Sequence, residues 1–137
     1  MENKIIVPEI TAPSRRQLLI VDDEKALVTV LMRIMKSDLL TAIGTTSPLE
    51  AKNLINNLNN GDLVLSDFHM PEMTGLELAE ITSEIRRQKA IKFFIMSGAA
   101  SFMPEGVKIR NAIGQYIDGF IEKGFDNKVL KEMLLGA

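Results

Sequence analysis

Five polar residues stand where short apolar runs stop. Asp22 and Asp23 follow LLIV, Asp67 follows LVLS, Ser97 follows FFIM, and Lys123 follows GFIE. If those runs are parallel strands of one sheet, their carboxyl ends form the crevice in which open α/β sheets take ligands, and four strands deliver polar groups to one edge. Three carboxylates gathered there are under strain. At about 4 Å and an effective dielectric near 20, each like-charged pair repels by ~4 kcal/mol, so the group protonates, spreads apart or binds a cation. An all-oxygen set with room for water suits Mg2+ or Mn2+, and the chain has no cysteine and a single histidine, so nothing favours zinc. Lys123 adds a mobile charge of opposite sign and Ser97 a hydroxyl donor. Cation, ammonium and hydroxyl together make an anion site, and phosphoryl transfer needs that neutralisation around its oxygens.

The elements that must position these groups are legible in the pattern. The apolar runs are continuous rather than alternating, as in strands covered on both faces. Between them lie helical periods: Ala26, Leu27, Val30, Leu31, Ile34 and Met35 form one stripe, Ala51, Leu54, Ile55 and Leu58 a second, Leu78, Ile81 and Ile85 a third. Ser47, Pro48 and Glu50 supply a cap, a first-turn proline and a capping-box acid; Thr74 and Glu77 repeat the cap-and-acid spacing. A weak strand over Leu40 to Gly44 fills the gap between the first two helices. A fourth helix is predicted from near Pro104 to Ile113 and a fifth, after Asp126, roughly from Asn127 to Leu135. Strand and helix then alternate five times, which with right-handed crossovers predicts a single doubly wound, five-stranded parallel sheet with helices on both faces.

Composition bounds the rest. With 137 residues, 46% hydrophobic and 25% charged, the chain has the size and balance of one globular domain. Without cysteine there are no disulfides, thiolate metal sites or cysteine nucleophiles. A net charge of -2 argues against direct nucleic-acid binding, which needs a basic face. No apolar run approaches the ~20 residues of a membrane helix, and MENKIIVPEITAPSRR lacks the apolar core of a signal peptide, so a soluble cytoplasmic protein with no membrane contact is expected. Pro8, Pro13 and Ser14 mark residues 1–17 as a flexible arm or linker, leaving 18–137 for the domain.

At its site residues the sequence resembles the receiver domain of two-component response regulators, the CheY-like family with a flavodoxin-like fold. LLIVDDE (Leu18 to Glu24), LVLSDFHMPEMTG (Leu63 to Gly75), FFIMSG (Phe93 to Gly98) and GFIEKGF (Gly119 to Phe125) match four successive family blocks. The resemblance implies that Asp67 accepts a phosphoryl group, in phosphorelay signalling, from a phosphohistidine of a sensor histidine kinase or histidine phosphotransfer protein. It implies Mg2+, with Mn2+ as a substitute, held directly by Asp23, through water by Asp22, and by Asp67 and the main-chain carbonyl of His69. Lys123 would pair with the phosphoryl oxygens, Ser97 would swing in to hydrogen-bond one of them, and Phe120, the switch aromatic, would follow it. The added charge at Asp67 would then bias an element that partners read. Such a domain is a switch more than a catalyst, although it promotes its own phosphoryl transfer and dephosphorylation. The implied targets are a downstream protein or an output domain missing from this chain, with room for a homodimer through the face from helix 4 to helix 5.

Each residue taken alone has a plainer reading. Asp22 or Asp23 can cap the first helix, and Asp67 can be an Asx-turn residue ahead of Met70-Pro71. Lys123 can be a solvated strand-end lysine and Ser97 a turn former. His69 reads as an exposed loop residue, tuning phosphoryl lifetime if the family pattern holds, and Gly75 as a source of flexibility beside the third helix. Chance does not readily gather all of them at one edge.

The chain also departs from the family pattern. Gly124 stands where many members have proline, the Ser97 to Lys123 segment is a few residues long, which leaves the helix 4 boundaries open, and Phe120 lacks the hydroxyl of the commoner tyrosine. Three other classes fit less well. A haloacid-dehalogenase-type phosphatase would want a second aspartate where His69 stands, a nucleotide- or flavin-binding domain a glycine- or Ser/Thr-rich loop in place of DDEKA, and a degenerate docking receiver should lack some of the phosphorylation residues.

Overall fold

The computed structural model describes residues 15–98 and 102–137. The elements run β1 (Arg16–Val21), α1 (Lys25–Met35), β2 (Leu40–Thr45), α2 (Pro48–Asn56), β3 (Leu63–Asp67), α3 (Gly75–Ile81), α4 (Ser83–Lys89), β4 (Lys92–Ser97), α5 (Pro104–Asn111), β5 (Gly119–Glu122) and α6 (Asn127–Leu135). The strands form one sheet in the order β2-β1-β3-β4-β5, and every neighbouring pair is parallel. This is the doubly wound architecture that the alternation of runs predicts.

Both faces of the sheet are covered. Leu18, Ile20, Leu63, Leu65, Phe94 and Met96 pack with Val28, Leu31 and Met35 of α1 and Leu130 and Leu134 of α6. Leu19, Val21, Val64, Phe93 and Ile95, at the alternate positions, pack under α2, α3 and α5 through Ala51, Ile55, Leu78, Ala79 and Ile109. Double coverage is why the strands read as unbroken apolar runs.

The helix starts over Ser47 and Thr74 stand as predicted. Ser47 Oγ accepts from the Glu50 N–H at 3.2 Å, and Thr74 and Glu77 close a full reciprocal capping box.

Four expectations change. First, β1 begins at Arg16, two residues before the predicted domain start: Arg16 Nε donates to Gly61 O at 2.7 Å and Nη1 to Ala137 O at 3.0 Å, tying the strand to both β3's approach and the last residue. The rest of the predicted arm, apart from Arg15, lies in residues 1–14, outside the described residues. Second, the α1 stripe is rotated: Val28 is buried while Ala26 and Val30 are exposed. The cause is Gly44 of β2, where a Cβ would lie 2.4 Å from Val28 Cγ1 and 2.8 Å from Met32 Sδ, so the helix settles into the notch.

Third, the third helical stretch breaks at Thr82 into α3 and α4. The Thr82 hydroxyl donates back to Leu78 O at 2.8 Å, a bond that bends helices, and Ile81 is left 52% exposed while Arg86 turns inward. Fourth, Gly75 provides close approach rather than flexibility: a Cβ there would sit 2.3 Å from Asp67 O, so only glycine lets α3 start against the end of β3.

Candidate functional site

The parallel register brings β1, β3, β4 and β5 to a common carboxyl edge. β1 stops at Val21, and Asp22 turns the chain: its N–H donates to Thr45 O at 3.3 Å, and its Oδ1 accepts from the Glu24 N–H at 2.8 Å. The N-cap position of α1 is Glu24, without a side-chain cap bond, so neither Asp22 nor Asp23 is the helix cap. Asp67 is the last residue of β3, and its Oδ1 accepts from the Phe68 N–H at 2.9 Å. The Lys123 N–H donates to Ser97 O at 2.7 Å, which fixes the lysine directly after β5. Its Nζ reaches 3.1 Å from Asp67 Oδ1 and 3.2 Å from Asp22 Oδ2.

Charge at this edge is only partly compensated. Burial first, then the Asp22 charge, pushes the Asp67 carboxyl above the ordinary aspartate value in spite of Lys123; burial likewise raises Asp22, against the bond from the Glu24 N–H and the charge of Lys123. Lys123 loses to burial but gains more from the two aspartates, and its ammonium is held above its ordinary value. The carboxyls go up because their own burial outweighs the attraction of the lysine, and the lysine goes up because the two aspartates together outweigh its burial. Asp22 Oδ2 is buried and accepts no hydrogen bond of good geometry; Lys123 meets it only as a nearby charge.

Asp22, Asp23 and Asp67 each offer a carboxylate oxygen, and these lie within 4.8 Å of one another. An orphaned buried oxygen and two carboxyls held above their ordinary range make an all-oxygen set that fits a hard divalent cation such as Mg2+.

Two groups at this edge sit in arrangements the residue pattern does not disclose. The Ser97 hydroxyl donates to Glu105 Oε2, and the other oxygen of that carboxylate is paired with His69 Nε2. Glu105, in the first turn of α5, thus joins the β3–α3 loop to the end of β4. No motif marks it; the only signal is an acid one residue after the predicted helix start at Pro104. His69 is 74% exposed, as a loop residue should be. Phe120 pairs in register with Ile95 and is half-buried against the α2–α5 face of the core. Gly124 has φ +94°, a region closed to proline, whose φ is locked near -65°; the chain therefore leaves Lys123 on a path of its own.

A doubly wound parallel sheet with acids, a hydroxyl and a lysine at its carboxyl edge makes an α/β domain whose acidic cluster could hold a metal ion. Residues 18–135 match the model of the response regulator receiver domain, and the chain belongs to that family. A two-component response regulator, ORR5, from Oryza sativa subsp. japonica is 31% identical over 114 residues, covering 83% of this chain and 76% of its own. The chemotaxis protein CheY of Pseudomonas aeruginosa is 29% identical over 123 residues, covering 86% and 92%. In fold, the crystal structure of a CheY-like receiver domain protein from Methanospirillum hungatei superposes with a TM-score of 0.77 at 24% identity, covering 90% of this chain and 93% of that one. The protein is a receiver domain of two-component phosphorelay signalling, not a member of an enzyme family, and no helix among the described residues is long and apolar enough to cross a membrane.

Proposed function

We propose that Asp67 is the phosphoacceptor. The observation that carries this is its buried carboxylate at the end of β3, 3.1 Å from Lys123 Nζ and within 4.8 Å of the carboxylates of Asp22 and Asp23. An Asp67 oxygen attacks the phosphorus of a donor phosphohistidine; a P–O bond forms as the P–N bond breaks, and the imidazole leaves with the electron pair and takes up a proton. Lys123 moves from the aspartates to the incoming phosphoryl oxygens. Asp22, Asp23, Asp67 and the main-chain carbonyl of His69 would hold Mg2+ or Mn2+, which would supply positive charge to the transferred oxygens. Water attack on the acyl phosphate returns the carboxylate, so the domain takes part in both its charging and its discharge. Ser97 and Phe120 respond to the charge by moving inward.

The folded unit after the N-terminal arm acts as the receiver, in the cytoplasm, facing a sensor kinase or phosphotransfer protein on one side and an output on the other. The output surface is the one bordered by α5, β5 and α6, where Phe102 (79% exposed), Met103, Ile113 and Val129 leave apolar side chains in water. A downstream protein, a linked output domain or a second copy of the chain is the kind of partner such a face takes.

Acetyl phosphate with Mg2+ tests this. Mass spectrometry should find one phosphoryl group on Asp67, and Asp67→Asn should carry none. A wild-type protein that binds Mg2+ yet stays unmodified, and unshifted by beryllofluoride, is a docking module instead.

A further inference from the structure

Glu105 is an acid at the carboxyl edge that the phosphoryl reading does not use. Its carboxylate stands between two groups that the reading does use. One oxygen accepts the Ser97 hydroxyl and the other is paired with the His69 imidazole, two residues beyond Asp67. Ser97 is buried and Glu105 about three-quarters so, a setting in which a hydrogen bond to a charged acceptor is strong.

We propose that Glu105 is a positioning residue that latches Ser97 in the resting state and competes with the phosphoryl group for its hydroxyl. The inference rests on Asp67 being the phosphoacceptor. A serine hydroxyl has one hydrogen to donate. A carboxylate and a phosphoryl oxygen are both acceptors, so Ser97 satisfies one or the other and never both. Binding of the phosphoryl group and formation of the Ser97–Glu105 bond are therefore linked with opposite sign, and whatever strengthens the latch weakens the phosphorylated state by the same factor.

His69 makes the exchange practicable. When Ser97 departs, Glu105 keeps the imidazole as its partner and is not left as an unpaired carboxylate, so the latch can open without melting the first turn of α5. A second electrostatic effect acts in the same direction, since phosphorylation replaces the single charge of the Asp67 carboxylate with roughly two on the phosphoryl group, which repel the Glu105 carboxylate more strongly. The latch also spans two loops: the residue that reads the state of Asp67 through Ser97 lies on α5, beside the exposed apolar face bordered by Phe102 and Met103. Release of Ser97 is in this way a change at the output surface as well as at the site.

The test is the affinity for beryllofluoride with Mg2+, by calorimetry or NMR titration, together with the fraction phosphorylated by acetyl phosphate. Glu105→Ala should tighten beryllofluoride binding about tenfold, the scale set by losing one charge-assisted hydrogen bond in a partly buried setting. Glu105→Gln, a neutral and weaker acceptor of the same shape, should give a smaller gain, and it carries the test if the alanine variant does not fold. In a Ser97→Ala background the gain should vanish, because nothing is left to compete for. Unchanged or weaker binding by both folded Glu105 variants overturns the latch. So does an equal gain with and without Ser97, which would mean simple relief of charge repulsion. A wild type that takes neither beryllofluoride nor a phosphoryl group removes the phosphoacceptor reading itself and the latch with it, a result told apart by the silence of the unmutated protein.

Discussion

At the amino edge of the sheet Asp62, 3% exposed, accepts the Gln17 and Asn59 N–H groups at 2.9 and 2.7 Å, while at the carboxyl edge the fully buried Asp22 has an oxygen that accepts nothing. The contrast extends to the cations. Arg86 donates Nε to Thr82 Oγ1 at 3.0 Å and Nη2 to Ala79 O and Tyr116 O at 2.7 and 2.6 Å, and its guanidinium lies 4.7 Å from the centre of the Phe93 ring. Nearby, Asp118 Oδ2 accepts from the Phe93 N–H at 2.8 Å. Lys123, by contrast, holds two carboxylates and satisfies neither completely. Both edges bury charge, but one is closed by backbone partners that cannot leave and the other by a mobile lysine that can. Buried charge that is saturated fixes structure, and buried charge left short of partners is available to a ligand.

Removing Arg86 is the strongest way to expose that difference. Burial lowers the guanidinium to about 10, only partly offset by Asp118, so it stays charged near neutrality and its bonds to Thr82, Ala79 and Tyr116 are charge-assisted. Arg86→Met keeps the bulk and the contact with Phe93 but takes the guanidinium donors away from Thr82 Oγ1, Ala79 O and Tyr116 O. Denaturant unfolding should show a loss of about 3 kcal/mol. Asp62→Ala should follow at about 2 kcal/mol, since the N–H groups of Gln17 in β1 and of Asn59 in the turn before β3 lose their acceptor. A loss in either case no larger than that of an exposed-site control would mean that the amino edge is not the fixed one.

What could be seen in the sequence follows the same division. The ligand edge was legible because its groups sit at the ends of apolar runs, where strand geometry alone brings Asp22, Asp67, Ser97 and Lys123 together. The amino edge was not, because Asp62, Arg86 and Asp118 meet only once the crossovers have closed, at separations no spacing rule covers. Arg86 was further hidden by the Thr82 break, which turns an arginine inward and an isoleucine outward against the helical period. The phase of α1 does not follow from its stripe alone, because Gly44, a strand away, sets by its missing side chain where the helix lands. Glu105 was invisible because first-turn acids are common and nothing local distinguishes one that reaches Ser97.

Gly124 tests how firmly the carboxyl edge holds its lysine. At φ +94° an alanine is strained although no atom lies within 4 Å of its Cβ, so the cost of Gly124→Ala is backbone alone, about 1 kcal/mol. If the loop instead relaxes to negative φ, Lys123 shifts away from Asp67, and phosphorylation by acetyl phosphate falls with little loss of stability. A variant with unchanged stability and unchanged phosphorylation would show that the left-handed turn is incidental to the site.

The smallest effect carries the sign that separates the two edges, because here a deletion should stabilise. Burial and the Asp22 charge raise the Asp67 carboxyl in the native state above its ordinary 3.8, so the native protein binds this proton more tightly than the unfolded chain does. Between 3.8 and the raised native value the native state holds more protons, stability falls as pH rises through that window, and the deficit persists at higher pH. Asp67→Asn has no such proton to lose. In chelator its thermal midpoint should match wild type near pH 3.8 and exceed it by a small margin at neutrality, because lost attraction to Lys123 offsets part of the relief. Mg2+ should close that gap from the wild-type side, by binding the carboxylates whose repulsion creates it. A gap that shrinks as pH rises would mean that Lys123 over-compensates Asp67, leaving both edges saturated and the contrast between them without a physical basis.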